Sequence, residues 1–236
     1  MKLKFEIPHC DTCEARMRSI FNELDPSDVE KISLHKGCNF HKPGQILFEE
    51  GGHPAGLYCI NRGRIKLYKT GSNGKEQVIR LAKQGDVVGY RSLISGGAYS
   101  ASAAVLEDAA ICFIPKSTFL SLLKECSSFN ARVMEVLCHD LATAEQRELS
   151  FAQRSVKERL AETLLMLKEF YGVEADGVTL RGAPNREDLA NMVGTATETV
   201  IRLLSDFKKR NIIELDLKKI RIVNPGALLR ITRVFD

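Results

Sequence analysis

The sequence contains no tryptophan, and aromatic residues make up only 7% of it. It has no low-complexity stretch and no fixed-period repeat, which excludes fibrous and solenoid architectures. No apolar run approaches the roughly 18 residues a membrane helix needs, so no membrane span is expected. The opening Met-Lys-Leu-Lys-Phe-Glu-Ile-Pro is too short and too polar for a signal peptide, and a cytoplasmic protein is the expectation. Seven cysteines are an odd number in such a chain. A disulfide framework is therefore not expected, and reduced thiols or metal ligands are the better reading. Enzyme motifs are missing as well: there is no Gly-x-Ser-x-Gly, no His-Glu-x-x-His and no Gly-Lys-Ser/Thr phosphate loop. Cys10-x-x-Cys13 precedes a run of β segments instead of following a strand in a βαβ unit, so it does not indicate a thiol oxidoreductase. With 236 residues and 44% hydrophobic content, two modest cores are expected.

The segment 185–210 has the pattern of two helices crossing around a tight turn. Ala190 is small where the helices would touch, Gly194 tolerates positive φ, and Leu189, Val193, Val200 and Leu203 supply a joint core. Asn185 with Asp188, and Thr195 with Glu198, are start signals for the two helices. A second helix laid in a DNA major groove would direct Thr197, Glu198, Ile201 and Arg202 at base edges. Glutamate accepts from cytosine N4, and arginine bonds bidentately to guanine. An ordinary helical hairpin with a solvated charged face is the alternative.

Two short apolar runs around Asp216 to Lys219 predict a β-hairpin after the second helix, which makes a winged helix-turn-helix. From Arg202 to Arg233 there are nine Lys or Arg against three acids, a net of +6, while the whole chain carries +4. The basic character, including Lys208, Lys209, Arg210 and Lys218, is concentrated here and suits phosphate contacts.

Between Phe40 and Pro115 short β-type runs alternate with glycines: residues 45–48, 56–61, 64–69, 77–81, 87–90, 102–106 and 110–114. Their spacing predicts an antiparallel barrel or sandwich, either enclosing a small ligand or filled with side chains. A short helix over 116–124 follows, then a long helix from about Ser127. Val133, Val136, Leu137, Leu141, Ala144 and Leu149 lie near one face of it, a seam for a second copy of the chain or for the roll itself. The fold class is thus α+β, in three segments: 1–126, an N-terminal part with a jelly-roll-like β-roll; 127–153, a dimerisation helix; and 154–236, a winged helix-turn-helix.

This order of parts resembles the CRP/FNR family of bacterial transcription regulators over nearly the whole chain. The resemblance is carried by Lys42-Pro43-Gly44-Gln45, Phe48-Glu49-Glu50-Gly51, Leu57 to Gly63, Gly85-Asp86-Val87-Val88-Gly89, Glu158-Arg159-Leu160-Ala161 and Thr197-Glu198-Thr199-Val200-Ile201-Arg202. It implies a homodimer on a near-palindromic site in double-stranded DNA, read by Glu198 and Arg202 and tuned by Thr197 and Ile201. It also implies a sensor roll that adjusts affinity or recruits RNA polymerase. The alternative is a cyclic-nucleotide or other small-molecule binding module that contacts a protein partner.

The family's nucleotide-binding members carry a glutamate after Gly89 and an Arg-Ser-Ala step. Here those places hold Tyr90 and Tyr99-Ser100-Ala101. A buried cyclic phosphate would lack its counter-charge, which disfavours cyclic AMP. Gly89, Tyr90, Arg91, Tyr99 and Ser100 are the residues expected around a sensor pocket, with Arg91 or Arg80 as replacement cations. In the oxygen-sensing branch an iron-sulfur cluster is held by N-terminal cysteines and one near the end of the roll. Cys10, Cys13 and Cys112 match that pattern. Its next cysteine falls at Ser19, so Cys38, or His9 as an imidazole, is the candidate for the remaining ligand. Iron-sulfur binding, a thiol-disulfide or zinc role, and no ligand role all stay open for Cys10 and Cys13.

Overall fold

A computed structural model describes residues 9–217 and 219–232. They form two compact units, divided at Thr70/Gly71, Gln77/Val78 and Leu141/Ala142.

The first unit begins with α1 (Glu14–Met17) and α2 (Pro26–His35), whose Pro26 opens the helix where a missing N–H costs nothing. The strands follow: β1 (Gly37–His41), β2 (Ile46–Phe48), β3 (Gly56–Arg62), β4 (Arg64–Thr70), β5 (Glu76–Lys83) and β6 (Val87–Val88). Next come α3 (Tyr90–Ser95), β7 (Ser102–Val105), β8 (Ala109–Pro115), α4 (Lys116–Glu125) and α5 (Ser127–Gln153), of which the residues up to Leu141 belong to this unit. The strands pair into two four-stranded sheets, β1-β8-β3-β6 and β2-β7-β4-β5. Gly63 makes the β3–β4 turn at φ +93°, and an added Cβ there would lie 2.6 Å from the Ala109 Cβ.

Strand periodicity divides this unit into two cores. Ile60, Ile65, Leu67, Val88, Val105 and Ile111 meet inside the roll, whereas Leu57, Val87 and Ile114 point out of the first sheet toward α2, α4 and α5. β8, β3 and β6 of the first sheet are therefore covered on both faces, while β1 is buried only at Cys38.

Two elements differ from the expectation. β1 was not anticipated, because Gly-Cys-Asn-Phe-His lacks a clear apolar alternation and is recruited by pairing with β8. The run expected over 87–90 stops at Val88, because Gly89 adopts a left-handed conformation at φ 87° and starts α3.

The expected seam on α5 is also split. Phe129 and Val133 are buried, with Val136 and Leu137 packed against the same core as α2 and α4. Leu141, Ala144 and Leu149 are exposed, as are Met134 and Cys138. The positions 134, 138 and 141 return to one side of the helix at 3.6 residues per turn.

The second unit holds α6 (Val156–Tyr171), α7 (Arg186–Val193), α8 (Thr197–Lys209), β9 (Ile213–Asp216), β10 (Lys219–Ile222) and α9 (Pro225–Thr232). Ser155 and Glu158 form a reciprocal capping box at the start of α6: Glu158 N–H donates to Ser155 Oγ, and Ser155 N–H donates to Glu158 Oε2 at 2.6 Å. Leu160, Leu164 and Leu167 of α6, Leu189 of α7, Val200 and Leu204 of α8 and Ile220 of β10 are fully buried.

Candidate functional site

α7 and α8 form the helix-turn-helix. Asn185 caps α7 as expected, its Oδ1 accepting from the Asp188 N–H at 2.7 Å. Gly194 ends α7 in the left-handed region at φ 71°, and a Cβ there would lie 2.5 Å from the Phe151 ring. The turn has a support that the sequence reading missed. Arg159 Nε donates to the Val193 carbonyl at 2.9 Å and its Nη2 to the Gly194 carbonyl at 3.3 Å, while Nη1 reaches the Arg154 carbonyl at 2.8 Å. Arg159 belongs to the Glu-Arg-Leu-Ala motif, and its part in that motif is to satisfy the open carbonyls at the end of α7.

The start of α8 departs from the expectation. The residue before its first turn is Ala196, not Thr195, and no side chain caps the helix. Open N–H groups at a helix start attract phosphate. Val200, Leu204 and Phe207 form the fully buried face. Leu204 takes the core position expected for Leu203, which is only half-buried. On the other side Glu198, Ile201 and Arg202 are exposed, and Thr197 and Thr199 are half-buried at the edge of that face.

The surrounding cations fall into two sets. Among the described residues Arg202, Lys208 and Lys209 make no salt bridge, and all three are exposed. Arg210 lies 3.8 Å from Asp206. In the wing, Lys219 pairs with Glu174 at 3.0 Å and Arg221 with Glu214. Lys218, expected to contact DNA, lies outside the described residues.

In the roll, Gly89, Tyr90, Arg91, Tyr99 and Ser100 line one cavity together with Arg80. The cavity has about 20 Å³ of free space, room for about one water molecule. Aromatic side chains fill the rest. Tyr99 stacks on Phe48 with centroids 4.0 Å apart and donates its hydroxyl to the Gly56 carbonyl at 3.1 Å. The Tyr90 hydroxyl donates to Asp140 Oδ2 at 2.8 Å, and Arg80 Nη1 donates to the same oxygen at 2.8 Å. Arg80 is therefore already paired, and Arg91 is exposed.

Five of the seven cysteines, Cys10, Cys13, Cys38, Cys59 and Cys112, gather at the outer face of the first sheet. Cys10, Cys13, Cys59 and Cys112 line one cavity of about 30 Å³, with Arg16, Ser19, Lys36 and Asn61 as its polar lining and Phe21, Ile32 and Ile114 among its apolar lining. Asn61 Nδ2 donates to Cys13 Sγ at 3.3 Å. Burial pushes the Cys59 thiol well above its usual range, with the Cys10 and Cys13 thiols adding to this and Lys36 opposing it.

Contrary to the expectation of reduced thiols, Cys38 and Cys112 are joined by a disulfide. They are direct register partners on β1 and β8, a proximity that a separation of 74 positions in sequence conceals. Cys59 carries no local signal of its own; only the pairing of β3 with β8 reveals it opposite Cys112. The His9 ring is exposed and bonded to Asp11 Oδ1 at 2.6 Å. Among the described residues no three Cys, His, Asp or Glu side chains are placed to grip one metal ion.

A β-roll, a long helix and a winged helix-turn-helix, with Glu198, Ile201 and Arg202 exposed on its second helix, are the parts of a DNA-binding transcription regulator. Residues 39–126 match the cyclic nucleotide-binding domain family, and residues 158–231 match the Crp-like helix-turn-helix domain family. The fumarate and nitrate reduction regulatory protein of Vibrio cholerae is 28% identical over 229 residues, covering 96% of this chain and 91% of its own. The protein of the same name from Yersinia pestis is 29% identical over 230 residues, covering 94% and 90%. In fold, the chain is similar to a CRP/FNR-type regulator from Eubacterium rectale, with a TM-score of 0.75 at 18% identity over 91% of this chain and 97% of that one. The chain belongs to the CRP/FNR family of transcription regulators. Among the described residues no helix is long and apolar enough to cross a membrane.

Proposed function

We propose that this regulator acts in the cytoplasm as a homodimer on a near-palindromic DNA site, where it engages RNA polymerase, and that its roll responds to oxygen or redox state. The observation that carries the DNA reading is the division of α8: Val200, Leu204 and Phe207 are fully buried, and Glu198, Ile201 and Arg202 are exposed on the other side. Glu198 and Arg202 read base edges, Thr197, Thr199 and Ile201 shape the preferred step, and Lys208, Lys209, Arg210 and Lys218 hold phosphates. Two copies place two such helices on two half-sites. The exposed Met134, Cys138 and Leu141 of α5 supply an apolar stripe for that pairing.

Cyclic AMP is not the signal in this reading. The cavity at the nucleotide position holds about one water, and its one inward cation, Arg80, is bonded to Asp140. The cysteine cavity supports a redox signal instead. Soft thiolates in an apolar setting suit iron-sulfur chemistry, and Cys10, Cys13 and Cys112 are the thiols that would hold a cluster. Such a group would supply oxygen sensitivity, and the Asn61 amide, which donates to Cys13 Sγ, would hydrogen-bond one of its sulfur ligands. The thiols are of the right kind, but no three side chains among the described residues are placed to grip one metal ion, and Cys112 is bonded to Cys38, so the residues as arranged do not fit the group.

The test is anaerobic purification with iron and sulfide analysis, followed by DNA-binding titrations with and without air. Bound iron that is lost in air together with a change in DNA affinity supports the reading. An iron-free chain whose DNA affinity ignores oxidants and reductants overturns the redox part and leaves DNA recognition standing.

A further inference from the structure

Cys38, Cys112 and Cys59 occupy one rung across three adjacent strands. In the order β1-β8-β3, Cys112 is the register partner of Cys38 on one side and of Cys59 on the other. Register partners project to the same face of a sheet, here the outer one, and so does Asn61, two residues along β3 from Cys59. Two residues of strand span about 7 Å. Asn61 Nδ2 donates to Cys13 Sγ at 3.3 Å, so the Cys13 sulfur is held over the same face, close to the rung that Cys112 occupies.

The segment that brings it there is fixed at several points. Arg16 Nε donates to the Cys10 carbonyl at 2.6 Å, and Arg16 Nη1 donates to the Phe21 carbonyl at 2.9 Å. The Cys10 N–H donates to Ser33 Oγ on α2 at 3.3 Å, and the Cys13 N–H turns back to the Cys10 carbonyl at 3.4 Å. Across such a turn the two α-carbons lie within about 7 Å, which a disulfide can bridge. Both are free thiols on the wall of the cavity that Cys112 also lines. Packing accounts for one buried cysteine. It does not account for a dithiol facing a disulfide.

We propose that Cys10 and Cys13 are a resident dithiol that exchanges with the Cys38–Cys112 disulfide, so that this face of the roll carries a movable crosslink in place of a metal. The inference deepens the redox reading given above and rests on it for any effect on DNA. Exchange is electron-neutral. Cys13 sulfur gives up its proton and attacks Cys112 Sγ; the Cys38–Cys112 bond breaks, and Cys38 leaves with the electron pair and takes up a proton. Cys10 sulfur then gives up its proton and attacks Cys13 Sγ, and Cys112 leaves as a thiol in turn. One disulfide and two thiols are present before and after. Cys38 and Cys112 are 8% and 5% exposed, which bars an external protein dithiol. Cys10 and Cys13 are covered to a similar degree, but by a turn whose Asp11 and Thr12 face solvent, and a turn opens more readily than paired strands. An external dithiol therefore reduces the Cys10–Cys13 bond, closing its own disulfide in the same two steps. With its bond to β8 gone, β1, buried only at Cys38, is held by its ladder alone.

The full chain is reduced with a metal chelator present and given one equivalent of diamide, enough for one disulfide per chain. It is then reduced with thioredoxin, quenched with acid at intervals, alkylated and mapped for disulfide-linked peptides. The parent should show the Cys38–Cys112 pair first and the Cys10–Cys13 pair as it declines. Cys10→Ser and Cys10→Ala, which lack the second attacking sulfur, should accumulate a Cys13–Cys112 pair. Cys13→Ser and Cys13→Ala should lose the Cys38–Cys112 bond about tenfold more slowly than the parent. Cys59→Ser should react at the parental rate. Circular dichroism separates slow exchange from loss of fold in each variant. Absence of either linked pair in the parent overturns the exchange without recourse to any variant. A parental rate in the Cys13 variants overturns it as well, and slowing in Cys59→Ser transfers the attack to Cys59; both leave the redox reading standing. Exchange as described, with the same DNA affinity in both disulfide forms, overturns the redox reading and leaves the exchange intact.

Discussion

The hydroxyl of Tyr90 donates to Asp140 Oδ2 at 2.8 Å, tying the first residue of α3 to the middle of α5. Arg80 of β5 donates to the same oxygen. The family's nucleotide-binding members place a glutamate where this chain has Tyr90, and here the tyrosine couples the roll to the long helix directly.

Removing that link should cost stability in proportion to what is left unpaired. Tyr90→Phe should lower unfolding stability by about 1 kcal/mol, and Asp140→Ala by about 2 kcal/mol because it strands Arg80 as well. Urea midpoints measure both. Burial, followed by the Asp140 hydrogen bond, pushes Tyr90 up to about 12 from an ordinary 10. Its folded-state value exceeds the unfolded one, so its contribution is intact below about pH 10 and is lost as pH rises toward 12. Tyr90→Phe should flatten the alkaline limb of the stability profile in part, because burial also pushes Tyr99 up to about 12.

Arg202→Ala should weaken binding to the preferred DNA site by about 1 to 3 kcal/mol and relax the base preference, while Lys209→Ala should weaken binding to all sequences and reduce the salt slope by about 1. Fluorescence anisotropy at several salt concentrations reads both. Unchanged site preference in Arg202→Ala would remove it from the reading face.

Charged substitutions separate the two faces of α5. Met134→Glu with Leu141→Glu should produce a folded monomer in sedimentation, since both side chains are exposed. Val133→Ala should instead destabilise the roll by about 2 kcal/mol, because Val133 is 1% exposed in the core it shares with Phe129. A dimeric double variant would show that pairing uses another surface.

Asp176 accepts from the Thr179 hydroxyl and from the Thr179 and Val178 N–H groups, and these bonds, with Arg221 nearby, hold its carboxyl down to about 2. Its folded-state value is below the unfolded one, so its stabilisation is present above about pH 4 and is lost as pH falls toward 2. Thr179→Val should move the Asp176 carboxyl titration, followed by NMR, upward toward the ordinary carboxylate range.

By itself the sequence determined the two helices of the helix-turn-helix and the turn between them. Asn185, Gly194 and the apolar positions of α7 and α8 act through contacts a few residues apart, so their spacing encodes their geometry. The glycine-bounded strand runs of the roll were legible for the same reason. Misplacement of the α8 start at Thr195 and omission of Arg159 mark the limit of local signals, because which atom satisfies an open carbonyl depends on a helix 34 residues away. The cysteine site lies beyond that limit entirely. Cys38, Cys59 and Cys112 become neighbours only through the order β1-β8-β3, and the side of α5 that faces the roll is chosen by the shape of the core it covers. Local pattern states which residues are apolar or thiol-bearing; only strand pairing and packing over long sequence separation decide which of them meet.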